Sequence, residues 1–298
     1  MGKITAKKTT SKPTVAIIGA GNLATFLAVA LHNAGYTVTE IVVRNSPRSR
    51  RNARALAAKV GTQVVTANSA ALEATLIWFC VPDREIRGAA LTLAKHLAAQ
   101  KQHKTKVRFA LHSSGALLSR ELDPLRKVGI AVASAHPLMT FVAGAHPSLA
   151  GVPFAMEGDS AAMRIAHGIV RDLGGESFSL PAARKAAYHA WATLTSPLLL
   201  AFLVTLEDVA SASGLTRQDA RRKSLPIIRQ TLANYSHLGP ARSFSGPLVR
   251  GDAETVAKHM SALKQRPGAR EVYVALARAA LRGLPVKNRK GLEQVLRA

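Results

Sequence analysis

The sequence predicts an α/β protein in which a doubly wound, mostly parallel sheet is followed by an all-helical domain. Three observations carry this prediction. Apolar runs of strand length alternate with amphipathic segments from residue 13 to about Leu180, a glycine turn joins the first run to the first helix, and beyond Pro181 the pattern turns to helices alone.

The opening unit is "TVAIIGAGNLATFLAVALHNAG", an apolar strand, a glycine turn and a helix closing at Gly35. Gly19 permits the tight turn, Gly21 lets the backbone approach a pyrophosphate, and Ala24 in the third place lets helix and strand pack closely. The phosphates of a dinucleotide would then rest at the helix start, against Gly19, Gly21, Asn22 and Leu23. This is the first βαβ step of a Rossmann domain.

The second strand, "TVTEIVV", bears on the cofactor. Counting from the glycines would name Glu40 as the acid that binds a ribose, but Glu40 lies mid-strand, whereas the ribose contact comes from the strand's carboxyl end. There the chain reads Arg44, Asn45 and Ser46, with Arg48 beyond. Guanidinium and hydroxyl groups suit a 2′-phosphate that a carboxylate would repel, so the expected cofactor is NADP.

The alternation continues through "TQVV", the buried strand "ATLIWFCVP", a helix from Asp83, "VRFALHSSG", a short helical turn at "ELDPLRKVG", "IAVASAHPLMTF", "GVPFAME", a helix from about Asp159 to Leu173 and "ESFSL". Helices are then expected at about 182–213, 216–236, 252–264 and 268–283. The division that follows is a basic, disordered tail over 1–12, a Rossmann NADP-binding domain over 13–181 and a helical substrate and dimerisation domain over 182–298. A small substrate would meet the nicotinamide in the cleft between the two domains.

Ligands bind at the carboxyl ends of strands in such sheets, where Val81, Pro82, "HSSG" (112–115) and His136 fall. A serine nucleophile would want glycines on both sides and a strained elbow. Ser113 and Ser114 have glycine on one side only, so hydrolase chemistry is disfavoured. Two roles stay open for these serines: donating hydrogen bonds to substrate or nicotinamide, or capping the helix that begins near Ala116. Hydride transfer to a carbonyl or imine also needs a proton donor. Lys185, Tyr188 and His189 lie together, and His189 is the candidate, with a core histidine as the plain alternative. His112, His136, His146 and His189 are too widely spaced for a metal site, and none is expected.

The net charge is +24, from 41 basic and 17 acidic residues. Its clusters, "MGKITAKKTTSK", "RNSPRSRRNAR" and "TRQDARRK", have almost no aromatics between them, so non-specific electrostatics is preferred to a specific nucleic-acid function. The tail has no apolar core of a secretion signal. A single cysteine, Cys80, fits a reducing compartment, and the cytoplasm is expected. Residues 186–206 carry no formal charge, but they include Tyr188, His189, Ser196 and Pro197; a buried central helix of a soluble domain is expected there, not a membrane span.

"HSSGALLSRELDPLRKVGIAVASAHPLMTF", "GVPFAMEGD", "YHAWATLTSP", "SGPLVRGDAETVAKHMSAL" and "VYVALARAAL" together resemble a bacterial family of Rossmann-like oxidoreductases carrying the domain of unknown function 2520. That family is similar to ketopantoate reductases, pyrroline-5-carboxylate reductases, prephenate dehydrogenases, β-hydroxyacid dehydrogenases and 6-phosphogluconate dehydrogenase-like proteins. The resemblance implies an NADP-dependent oxidoreductase acting on a small keto acid or imine, a homodimer formed through the helical domain, and Asp252 of Arg250-Gly251-Asp252 as a helix N-cap. It also favours His189, since prephenate dehydrogenases begin a comparable helix with histidine. One departure stands out: Ser196-Pro197-Leu198 replaces the family's Ser-Asn-Phe, which removes an amide and introduces a kink. That loss motivates an alternative, a dinucleotide-binding sensor or accessory protein without turnover. A third reading, a polyanion-binding protein, rests on the charge alone.

Overall fold

The computed structural model describes residues 12–99, 107–145 and 147–297. All but the last residue of the expected tail, and His146, lie outside the described residues. The chain divides into two compact units, Met1–Ala192 and Thr193–Ala298. The first expected helix of the helical domain therefore begins within the sheet unit.

The sheet unit runs β1 (Val15–Ile18), α1 (Asn22–Asn33), β2 (Val38–Val42), α2 (Pro47–Val60), β3 (Gln63–Val65), β4 (Leu76–Phe79), α3 (Asp83–Ala99), β5 (Phe109–His112), α4 (Asp123–Arg126), β6 (Ala131–Pro137), β7 (Pro153–Gly158), α5 (Ser160–Asp172) and β8 (Glu176–Ser179). Its eight strands lie in the order β3-β2-β1-β4-β5-β6-β7-β8. Every pairing is parallel except β6 with β7. The doubly wound, mostly parallel sheet expected from the alternation is thus the fold.

Helices cover both faces, which is why β1 and β4 read as unbroken apolar runs rather than alternating ones. Trp78, Phe79 and Phe154 are fully buried. Helix ends follow local chemistry. Ser46 caps α2 by accepting from Ser49 N, Pro47 opens it, and Gly61 closes it in the left-handed conformation.

After β8 come α6 (Lys185–Thr195), α7 (Pro197–Ser211), α8 (Arg217–Ser243), α9 (Pro247–Arg250), α10 (Ala253–Ala262), α11 (Pro267–Gly283) and α12 (Arg289–Val295). Asp252 caps α10 through Thr255 N at 2.9 Å, as expected. Helices α10, α11 and α12 share a small core of Val256, Met260, Ala277, Leu281, Leu292 and Leu296.

The expectation of a buried central helix over 186–206 is corrected. Pro197 does not kink one continuous helix but starts a second, since Ser196 leaves the helical region at φ −126°, ψ −74°. The apolar side chains that follow are exposed, Leu200 to 63% and Ile227 of α8 to 68%. Apolar periodicity was present, but the chain's own packing does not cover it.

Candidate functional site: a glycine turn, a basic rim and a histidine pair

The glycine turn sits where β1 passes between β2 and β4. Gly19 N donates to Val42 O and Cys80 N to Ile18 O, at 2.9 and 2.8 Å, so the turn is fixed against both neighbours. Gly19 adopts φ +110°, and a Cβ there would lie 2.5 Å from the Cys80 carbonyl oxygen. Gly21 faces the opposite situation, with nothing within 4 Å of an added Cβ. Only a glycine fits the first place, and the second leaves the open backbone surface that a pyrophosphate needs. Gly19→Ala is accordingly expected to abolish dinucleotide binding, read by fluorescence titration, with Gly21→Ala as the milder companion.

A cavity of about 850 Å³ opens from this turn. Gly19, Gly21, Arg44, Asn45, Val81 and Pro82 line it. Sequence reasoning missed Asn52, Thr66 and Asn68, which line it too. Arg44 donates to Glu85 Oε1 at 3.0 Å. Arg48 also lines the cavity, so two arginines border it. The cavity's size and the glycines that line it fit a dinucleotide.

Three expected cofactor residues are placed differently. Ser46 does not line the cavity, and its hydroxyl caps α2. Asn22 donates its side-chain amide to Phe141 O at 3.1 Å, which leaves its backbone for a phosphate. Leu23 packs beside Trp78 and Phe154. Glu40 is 1% exposed and accepts from Ala71 N and Leu72 N, at 3.2 and 2.8 Å. Burial pushes its carboxyl up. It braces the chain before β4 and has no way to a ribose.

Beyond β5 the polar loop is held from three sides. Trp78 Nε1 donates to Ser113 Oγ at 2.9 Å. Ser114 Oγ accepts from Ala116 N and Leu117 N, at 3.2 and 2.9 Å, and donates to Asp83 Oδ2 at 2.8 Å. The expected cap is corrected: no helix begins at Ala116, the next helical turn starting at Ser119, so Ser114 closes a local turn and both hydroxyls position the loop. His112 Nε2 donates to Leu118 O at 3.0 Å, and its Nδ1 accepts from Ser114 N at 3.1 Å. Both ring nitrogens are used by one neutral tautomer, and burial pushes its pKa down to about 4.

Gly115 brings two histidines together. A Cβ on it would lie 2.8 Å from His136 Nε2 and 2.8 Å from His189 Cδ2. His136 Nδ1 meets Tyr188 Oη at 2.7 Å. Burial pushes Tyr188 up to about 12 and His136 down to about 4, so a protonated phenol donates to a neutral imidazole and the ring proton sits on Nε2.

Below them lies a network whose partners are spread along the sequence. Lys185, 2% exposed, donates to Ser134 Oγ at 2.5 Å and to Glu157 Oε1 at 3.2 Å. Ser134 Oγ donates on to Ser114 O at 3.2 Å, and Glu157 also accepts from Ser119 N and Oγ. Desolvation, the largest influence, lowers the Lys185 pKa, and the Glu157 carboxylate opposes it. The network ties α6 to the loop carrying Ser113, Ser114 and Gly115.

A parallel sheet with a glycine turn at its first crossover, a dinucleotide-sized cavity at the strand ends and a histidine pair beside it defines a Rossmann-type dinucleotide-binding protein. Residues 14–107 match the family model of NADP oxidoreductase, coenzyme F420-dependent, and residues 152–280 match that of Domain of unknown function (DUF2520). The chain thus joins a region that matches the oxidoreductase model to one that matches the DUF2520 model.

No curated protein matches the chain in sequence. Among solved structures it is similar to a Bacteroides fragilis protein provisionally described as an NADP oxidoreductase, at 20% identity and TM-score 0.72 over 90% of this chain and 97% of that one. A reductive aminase of Aspergillus terreus, in complex with NADPH and ethyl-5-oxohexanoate, shares 17% identity at TM-score 0.62 over 95% and 99%. A pyrroline-5-carboxylate reductase of Coxiella burnetii shares 16% at 0.57 over 91% and 98%. At these identities the likeness shows the fold.

Proposed function

We propose that the protein is an NADP-dependent oxidoreductase that transfers a hydride between NADPH and a small keto acid or imine. The carrying observation is the cavity that Gly19 and Gly21 line together with Arg44 and Arg48. The fold is shared with a reductive aminase complexed with NADPH and with a pyrroline-5-carboxylate reductase, which supports the reading. Bound there, the nicotinamide would supply the hydride. The chain's own residues do the rest: backbone amides of Gly21, Asn22 and Leu23 hold the pyrophosphate, Arg44, Asn45 and Arg48 take the 2′-phosphate, and Val81 and Pro82 flank the nicotinamide half. Ser113 and Ser114 hold the loop, and His136 and His189 face the reacting atom across Gly115. His189 is the group that exchanges a hydrogen bond or proton with that atom.

Titration with NADPH and NADH tests this. Clear NADPH preference together with oxidation of NADPH by a member of a keto-acid and imine panel supports it; NADPH binding without any turnover leaves the sensor reading, and no binding to either removes both.

The protein is further proposed to be a homodimer through its helical unit. Leu194, Leu198, Leu200 and Val204, with Ile227 and Leu232 of α8, form an exposed apolar series too extensive for scattered surface residues. A second copy brings the same elements to a two-fold contact. Residues 182–211 also have the length and apolarity of a membrane span. Sedimentation of the wild type should show a dimer and Leu200→Glu with Ile227→Glu a monomer. A monomeric wild type, or one that floats with lipid vesicles, overturns this.

A further inference from the structure

Several carboxylates of this strongly basic chain are held by cations, Glu85 by Arg44, Glu121 by Arg87 and Asp159 by Arg126. Asp83 takes the neutral hydroxyl of Ser114 on Oδ2 at 2.8 Å, and among the described residues it pairs with no cation. It is exposed, and it opens α3 at the carboxyl end of β4, next to the cavity-lining Val81 and Pro82.

The charges around it leave its own uncompensated. Lys185 and Asp83 are the permanent charges that act on the His136 imidazole. The Lys185 ammonium is buried, donates to Ser134, and is neutralised by Glu157 at 3.2 Å. It is therefore closed to a substrate anion. His112 uses both ring nitrogens internally as a neutral imidazole. His136 is neutral too, bonded to a protonated Tyr188. Around the histidine pair, the Asp83 carboxylate thus remains without a cation among the described residues, and it accepts its hydrogen bond there at Oδ2. An α-keto acid that set its carboxylate beside Asp83 would meet a like charge there.

Resting on the reductase reading above, we infer that the substrate carries its positive charge at nitrogen, a small protonated imine, and that Asp83 is its counter-ion. Such a substrate brings its own proton. A C–H bond forms at the iminium carbon with the hydride of the reduced nicotinamide, the C=N π pair becomes the nitrogen lone pair, and the coenzyme is left oxidised. No proton from the protein is required, in keeping with a neutral His136. His189 then accepts the iminium N–H and orients it.

The test uses the full chain loaded with NADP⁺ and reads binding without turnover, by calorimetric titration with piperidine, which is protonated at neutral pH, and with pyruvate. Piperidinium is expected to bind at least tenfold more tightly than pyruvate. Asp83→Asn should weaken piperidinium about tenfold, the scale of a lost charge-assisted hydrogen bond, whereas Asp83→Glu should keep most of the affinity. With NADPH, 2-methyl-1-pyrroline should be reduced faster than pyruvate. Pyruvate binding as tight as piperidinium, or unchanged piperidinium affinity in Asp83→Asn, overturns the proposal. So does an Asp83→Asn variant that loses NADP⁺ affinity as much as piperidinium affinity, which would assign the carboxylate to the oxidised coenzyme. Failure of the wild type to bind either coenzyme is a different result, since it strikes the reductase reading itself.

Discussion

Replacing Arg44 and Arg48 together by alanine is expected to weaken NADPH binding about 100-fold and to leave NADH binding within about threefold. A 2′-phosphate carries close to two charges, and each guanidinium that meets it makes charge-assisted hydrogen bonds worth about 1.5–3 kcal/mol. Both arginines line the cavity. Arg44 reaches Glu85 in the structure, so it must exchange one anion for another when NADPH binds. The net gain at Arg44 is reduced by that exchange, and Arg48, which pairs with no carboxylate among the described residues, carries the larger share. Arg48→Ala alone should therefore lose more NADPH affinity than Arg44→Ala alone. Fluorescence titration of the four proteins with both coenzymes measures this. Equal losses for NADPH and NADH would place the 2′-phosphate elsewhere in the cavity.

The glycine turn and the arginine that lines the cavity beside it were legible because they are close in sequence. Gly19, Gly21 and Ala24 belong to one turn and its helix, and Arg44 follows the next strand directly. Glu40 shows where counting fails: its distance from the glycines suits a ribose acid, yet its carboxylate braces amides of Ala71 and Leu72 that only the fold brings near. The serines show the same limit. Their residue types suggested either a substrate contact or a cap, and what settles their hydrogen bonds is Trp78 and Asp83, delivered by β4 because β4 and β5 are neighbours in the sheet. The Lys185 network was beyond reach for the same reason, since Ser119, Ser134, Glu157 and Lys185 lie on four separate segments. In the helical unit, apolar periodicity reports that a face avoids water but not which surface covers it, so the exposed face of α7 was read as core.

Gly115→Ala is expected to lower kcat/KM about 100-fold on the best substrate of the imine and keto-acid panel, with the affinity for NADPH unchanged. The backbone at Gly115 needs no left-handed conformation, so alanine is allowed there locally; what it meets is the pair of imidazoles, each 2.8 Å from the new methyl carbon. Both contacts are too short for a methyl carbon, and both must relax. His136 is tied to Tyr188 through Nδ1, so displacing it costs that 2.7 Å hydrogen bond. His189 presents a ring carbon to the methyl, and a shift of that ring by about 1 Å is enough to spoil its alignment with a reacting atom. His189→Ala should by itself cost about 100-fold, within the range of a lost proton-transfer or orienting group. The two substitutions are then expected to be strongly non-additive, because Gly115→Ala acts through a ring that His189→Ala has already removed. In the double variant the alanine methyl occupies part of the space the imidazole vacated, and kcat/KM should fall little below that of His189→Ala. If the losses multiply instead, the methyl acts through His136, and the group that faces the reacting atom is the His136–Tyr188 pair.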